Sequence, residues 1–182
     1  MAGCWVAGGG AVVADETIRG NNKKRGAPKK GRGYAHKMKG VSLLERGGSV
    51  RSVHVPNLTI KTLNAVPTRN IAPEAKLMTD EATPYRVIGE AFASHEVVSH
   101  ARREYSLGDA HTNTIEGLFS ILKCGLIGTF HDVGEQHLHR YVREFDFRYN
   151  HRRVSDCERA NSAFRGIAGK RLTYRDTLPA EE

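Results

Sequence analysis

Apolar and polar positions alternate along the chain in runs short enough to be strands, then in longer runs with a helical period. Residues 11–17 (AVVADET) form a short apolar run ending in two acids, which predicts a buried strand with Asp15 or Glu16 at its C-terminal end. Residues 41–45 (VSLLE) and 49–55 (SVRSVHV) read as two strands joined by an Arg-Gly-Gly hairpin turn, and Pro56 closes the second. Val50, Val53 and Val55 alternate imperfectly, so the pattern fixes the register of that strand only loosely. Residues 59–66 predict a short helix stopped by Pro67. Residues 75–79 (AKLMT) predict another strand, with Asp80 directly after it. Residues 84–93 are amphipathic on Tyr85, Ile88 and Phe92 and predict a helix; 96–99 predict a brief strand and 106–110 a loop.

The stretch 111–130 (HTNTIEGLFSILKCGLIGTF) has two faces. With each residue set 100° further round, Ile115, Leu118, Phe119 and Leu122 fall within roughly 100° of arc and make a core face. Asn113, Glu116, Ser120 and Lys123 form a neighbouring polar stripe roughly 80° wide, with Glu116 and Lys123 two turns apart. Gly125 and Gly128 break or end the helix near Thr129. Residues 135–149 carry the most regular pattern, with Leu138, Tyr141, Val142 and Phe145 at i, i+3, i+4 and i+7. Beyond Arg153 the chain reads as polar and irregular, with a terminal piece at 171–178. Strands first, acids at two strand ends, then an acid on a late helix: this order suits a mixed α/β sheet on which Asp15, Asp80 and Glu116 converge.

A chain of 182 residues can build one domain with a real core, and 39% apolar residues keep it in globular territory. The charge sharpens the choice of partner. With 28 Lys+Arg against 20 Asp+Glu, net +8 and a pI of about 9.6, a polyanion is favoured, and nucleic acid is the usual one. The basic residues lie on no continuous amphipathic helix, and no apolar stretch has the length of a membrane span, so a membrane role is not indicated. Between Arg19 and Lys39 the chain holds Lys23, Lys24, Arg25, Lys29, Lys30, Arg32 and Lys37 and no acid. It reads as a loop, either a solvated connection or one that tracks phosphates, and the absence of acid favours the second. Cys4, Cys124 and Cys157 are far apart without a CxxC pair, which argues against a disulfide framework or zinc ribbon and for a reducing cytoplasm. The small, apolar first fourteen residues lack a positive n-region and are broken by glycines, so they do not read as a signal peptide.

Taken singly, each candidate has an ordinary reading. Asp15 can be a solvated strand-end acid, and Asp80 or Thr79 can cap a following helix. Asn113-Thr-Ile-Glu116 has the form of a capping box. Lys123 can be a solvated helix lysine. Arg140, Arg143, Arg148, Arg152 and Arg153 either form a basic edge for DNA or pair with Glu144 and Asp146. Tyr141, Phe145 and Tyr149 read as core. His137 and His139 point about 200° apart on a helix and are poorly placed to share an ion.

As a set, the strings DET with a Lys-rich loop behind it, ERGG, MTDEA with Tyr85 close behind, HTNTIEGLFSILK, G-x-x-GT and HLHRYxxEFxFRYNHR resemble DDE transposases of bacterial insertion sequences, the ISXO group, from about Ala14 to Arg153. The resemblance implies an RNase H-like catalytic domain, a mixed sheet flanked by helices, over residues 11–153 with a basic loop at 19–39. It leaves 1–10 as a disordered N-terminal remnant and 154–182 as a C-terminal tail. It implies metal-dependent DNA cleavage and strand transfer at insertion-sequence ends, with Asp15, Asp80 and a third residue binding two Mg²⁺ or Mn²⁺ ions. Relatives use either an acid or an asparagine in that third role, so both Glu116 and Asn113 are catalytic candidates and Glu116 is the favoured one. Lys123 then faces the transposon-end DNA, with Lys23, Lys24, Arg25, Lys29, Lys30 and Arg140 as further DNA contacts. The implied partners are terminal repeats and target DNA, with assembly as a homo-oligomer on that DNA. Three features depart from the group: Met1 lies only fourteen residues before Asp15, Gly20-Asn21 stands for Gly-Gly, and Lys123-Cys124 stands for Lys-Arg. They motivate an alternative, a shortened transposase that binds DNA or regulates intact copies. An unrelated basic RNA-binding protein would interleave aromatics with the basic loop, where only Tyr34 occurs.

Overall fold

Five apolar, β-branched runs pair into one mixed sheet, and the two faces of that sheet decide where the helices go. The computed structural model describes residues 10–19, 38–80, 88–98, 113–131 and 133–170. In chain order the elements are β1 (Ala11–Arg19), β2 (Met38–Glu45), β3 (Val50–Val55), α1 (Ile60–Asn70), β4 (Lys76–Asp80), β5 (Ser94–Val98), α2 (Asn113–Cys124), α3 (Leu138–Asn150) and α4 (Asp156–Ile167). The strand order is β3-β2-β1-β4-β5. β1 to β3 form an antiparallel meander, whereas β4 and β5 run parallel to β1. Gly47 takes the left-handed turn conformation (φ 67°) that closes the β2–β3 hairpin without a Cβ penalty.

Side chains alternate across β1, so one strand feeds two cores. Val12 and Ala14 point into a cluster with Val41, Leu43, Leu63, Val66, Leu77 and Ile88, which α1 covers. Val13 points the other way, into a cluster with Leu44, Val50, Met78, Ile115, Leu118 and Phe119, which α2 covers. The predicted core face of 111–130 is the buried face of α2. Its far end, with Leu122 and Leu126, packs on Val133, Leu138, Val142 and Phe145 of the α3 region. Between the two helices the chain widens into a π-helical turn at Gly125–Thr129. A Cβ on Gly125 would collide with the Phe145 ring, so glycine there lets α3 approach closely.

α3 also closes the β3 edge of the sheet. Asn150 Oδ1 accepts from the Val50 amide at 2.7 Å and its Nδ2 donates to the Val50 carbonyl at 3.0 Å, the pair of bonds a neighbouring strand would make. One helical turn earlier, Asp146 accepts from the Ser52 amide at 2.6 Å and the Ser52 hydroxyl at 2.7 Å. Arg152 and Arg153 reach the carbonyls of Gly48 and Gly47 in the hairpin. The motif EFDFRYNHRR is therefore a strap across an otherwise open edge. Of the two readings of its arginines, Arg148 does pair with Glu144, but Asp146 is used by Ser52 instead.

Several expectations are corrected. Pro67 does not stop α1, which runs on to Asn70. The proline is buried in the last turn, where it removes a single rung, the one to the Leu63 carbonyl; Thr68 and Asn70 add side-chain bonds to the neighbouring Asn64 and Val66 carbonyls. The strand expected at 96–99 is β5, Ser94–Val98. The helix expected through Ala93 has given way to a turn by Glu90, after helical Ile88 and Gly89. The supposedly irregular stretch after Arg153 is helical: Ser155 and Glu158 form a reciprocal capping box that starts α4. The basic residues within 20–37, the start of the helix expected at 84, the loop at 106–110 and the terminal piece at 171–178 lie outside the described residues.

If the edge strap matters, Asn150→Leu strands both Val50 backbone groups. It is expected to cost about 1–3 kcal/mol in urea unfolding with an unchanged m-value. Arg148→Ala, which removes an exposed pair on the same helix, is expected to cost at most about 0.5 kcal/mol. Equal effects would show that the Asn150 bonds contribute nothing special.

Candidate active site

The parallel rungs between β1 and β4 end at Val13–Met78. Two residues further along each strand stand Asp15 and Asp80, on the same faces as Val13 and Met78. Beyond that last rung β1 stays paired with β2, Asp15 opposite Ser42, while β4 stays paired with β5, Asp80 opposite Val98. The chain order reverses direction between β1 and β4, and the carboxyl ends of two parallel strands at such a point form a natural crevice. Val13 and Met78 belong to the cluster under α2, so both aspartates share the side of the sheet on which α2 lies. Glu116 follows the fully buried Ile115 by one position, at the start of α2.

The electrostatics show that these acids feel one another. The Asp15 carboxyl is pushed from 3.8 up to about 7, first by burial, then by the charge of Asp80, with Glu16 and Glu116 adding to it; a hydrogen bond from the Glu16 amide pulls the other way. That bond, donated to Asp15 Oδ1 at 2.7 Å, holds the carboxyl at the strand edge. Three elements thus bring three carboxylates into one field: Asp15 from β1, Asp80 from β4, Glu116 from α2.

Behind Asp80 is a support that the chain pattern did not reveal. Thr79, fully buried, donates its hydroxyl to the Asp80 carbonyl at 3.0 Å and lies 2.8 Å from His95 Nε2 on β5. With the hydroxyl hydrogen used on Asp80, the imidazole must donate through Nε2, and burial favours its neutral form. His95 sits in an unremarkable strand, SHEVV, and only the parallel β4–β5 pairing carries it to Thr79. Gly89 leaves room for its ring.

The other sequence candidates are placed as follows. Asn113 is exposed and is itself the first residue of α2, within the helix rather than capping it. Lys123 is exposed on the Glu116 side of α2, seven residues along and so about 10 Å further down the axis. Arg140 is half-buried on α3. Lys23, Lys24, Arg25, Lys29 and Lys30 lie outside the described residues.

A set of hard oxygen donors, Asp15 and Asp80 half-buried and Glu116 exposed, with Asp15 raised to about 7 first by burial and then by the charge of Asp80, fits a divalent cation by its chemistry. Among the described residues no three His, Cys, Asp or Glu side chains already stand close enough to form a ready-made metal cage. Mg²⁺ keeps several waters in its shell and needs few protein ligands.

A five-stranded mixed sheet in this order, flanked by helices and opening on an acidic crevice, defines an RNase H-like domain. The sequence model of the ISXO2-like transposase domain matches residues 4–150, and the chain belongs to that family of DDE transposases. Such transposases use divalent metal ions. No curated protein sequence matches the chain. A solved structure, the Drosophila P element transposase strand transfer complex, is similar with 10% identity and a TM-score of 0.24. The match covers 92% of this chain, which spans 46% of the length of that one. Among the described residues no helix is long and apolar enough to cross a membrane.

Folding raises the Asp15 pKa, so the folded metal-free protein retains a proton that the unfolded chain releases. The stability this group contributes is fully present below pH about 4 and is lost as pH rises to about 7, a change of a few kcal/mol at most. In chelator, Asp15→Asn is therefore expected to melt higher than wild type at pH 8, and the gap is expected to close toward pH 4. A gap independent of pH would mean that Asp15 titrates normally.

Proposed function

We propose that this domain cleaves DNA at insertion-sequence ends and transfers the strand, with Asp15, Asp80 and Glu116 as ligands of two divalent ions, Mg²⁺ or Mn²⁺. The observation that carries this reading is the approach of carboxylates from β1, β4 and α2: Asp15 is raised to about 7 first by burial, then by the charge of Asp80, with Glu16 and, least, Glu116 adding to it. When bound, the ions supply activation of a water or 3′-hydroxyl and stabilisation of the leaving oxygen. The chain itself orients them: the Glu16 amide fixes Asp15, and the Thr79 hydroxyl and His95 hold the end of β4 that bears Asp80. Asn113, on the same exposed stripe as Glu116, is the neutral neighbour of the third ligand. Lys123 steadies a backbone phosphate beside the acids, and the net charge of +8 draws the polyanion in. The catalytic unit is residues 11–153, working in the cytoplasm on terminal repeats and target DNA.

With Mn²⁺ and DNA carrying the cognate terminal repeats, wild-type protein is expected to nick and join. Losing even an outer partner of a metal ligand costs about 10- to 100-fold, so Asp15→Ala, Asp80→Ala and Glu116→Ala are expected to lose more than that while still binding DNA. Lys123→Ala is expected to weaken DNA binding and lower the salt slope by about 1. Salt-dependent binding without any metal-dependent cleavage by wild type would instead favour the regulatory, non-catalytic alternative.

A further inference from the structure

We infer that α4 is a self-association surface, and that its occupant is the α4 of a second copy of this chain, laid antiparallel across the groove between α3 and α4. α4 lies beyond the 4–150 span of the transposase domain, and none of its residues is buried. Yet its sequence is that of a packed helix. Cys157, Ala160, Phe164 and Ile167 follow the 3-4-3 spacing of a coiled-coil seam, and all four are exposed, Phe164 to 70% and Ile167 to 57%. An exposed phenylalanine and isoleucine on one helical stripe form an apolar face that water covers poorly.

Beside that stripe runs an open groove lined by Phe147 of α3 and Ala160 and Ala163 of α4, with the charged Glu144, Arg148, Asp156 and Arg159; Asp156 pairs with Arg159 at 3.1 Å yet stays almost fully exposed. Its volume is about 470 Å³. A cavity of roughly 150 Å³ already accepts a benzene ring, so the groove has room for a phenyl side chain. Phe164 does not fill it from its own helix. A large knob and a hole floored by small residues on one surface are the two halves of a contact related by a two-fold axis.

Charge fixes both the partner and its direction. The N-terminal turn of α4 carries Asp156 and Glu158, and its C-terminal end carries Arg165, with Lys170 just beyond. Antiparallel pairing sets Asp156 of each copy beside Lys170 of the other at both ends of the seam and opposes the helix dipoles. Parallel pairing would set Asp156 against Asp156 and Lys170 against Lys170. A 12-residue helix is about 18 Å long, so the contact is below the size of a standard stable interface, and the dimer is of the micromolar class. No member of the acidic site lies on α4, so this surface stands independently of the cleavage reading.

The test is sedimentation equilibrium of the full chain without DNA, from low to high micromolar concentration. Wild type is expected to show a reversible monomer–dimer equilibrium. Phe164→Glu and Ile167→Glu should each raise the dissociation constant at least about tenfold with an unchanged thermal melt of the monomer, since neither side chain is buried. Asp156→Lys should weaken the dimer, and adding Lys170→Asp to it should restore association; a merely structural role for Asp156 would not give that rescue. A chain that stays monomeric throughout, or a dimer indifferent to Phe164→Glu and Ile167→Glu, overturns the assignment. A dimer weakened by those two but not rescued by the double charge reversal overturns the antiparallel arrangement.

Discussion

Everything at the candidate site depends on α2 staying packed on the Val13–Met78 face of the sheet. Asp15, midway along β1, and Asp80, the last residue of β4, stand two residues beyond the last rung their strands share and repel each other, and the charge of Glu116 adds to the repulsion. What opposes it is apolar: Ile115, Leu118 and Phe119 bury against Val13, Met78, Leu44 and Val50. Each such side chain contributes on the order of 1.5–3 kcal/mol when fully buried, enough for three of them to outweigh one unfavourable carboxylate. Glu116 follows the fully buried Ile115, so the packing of α2 fixes its backbone while its side chain stays exposed.

α3 secures that arrangement from the other side. Through Leu138, Val142 and Phe145 it holds the far end of α2, and through Asn150 and Asp146 it holds the backbone of β3. Tyr149 reaches the cluster beneath α2 as well. One helix thus joins the outermost strand, the sheet core and the helix that carries Glu116. Gly125 and the π-helical turn allow the close contact that makes this geometry possible. The buried Ser42–Ser52–Asp146 chain crosses from β2, directly opposite Asp15, to α3, so the rigid wall of the crevice is continuous with the strap.

How much of this was legible in the chain follows from the range of the interactions. Strands β1 to β4 and the buried face of α2 were readable because apolar periodicity is local and strong there. Asp80 could be placed at a strand end for the same reason, whereas Asp15, expected at one, lies midway along β1, which runs on to Arg19 because β2 continues to pair with it. The family resemblance chose both from among other acids. Pro67 does not stop α1 because it stands in the last turn, where it costs one rung and its ring is buried. The helical nature of α4 is written in the chain as Ser155-x-x-Glu158 and the Cys157, Ala160, Phe164, Ile167 spacing, but with only two large apolar residues in a polar stretch that period is weak. The Thr79–His95 pair and the Asn150 strap were out of reach. Both depend on residues brought together by tertiary pairing, 16 and 100 positions apart, and a hydrogen bond across such a distance leaves no local period.

The balance of forces differs sharply between the two ends of the molecule. At the crevice, apolar burial holds together groups that would rather separate, at a cost in stability of the bare protein. On α4 the relation is inverted. Apolar groups that would rather be buried are left exposed, and a capping box worth about 1 kcal/mol keeps the helix formed without help from a core. A helix this short is marginal alone in water, so a surface that keeps its seam residues in register while contributing nothing to the core has its natural use in contact with another molecule. The acidic N-terminus and basic C-terminus of the same helix make a second copy of itself the molecule it fits best.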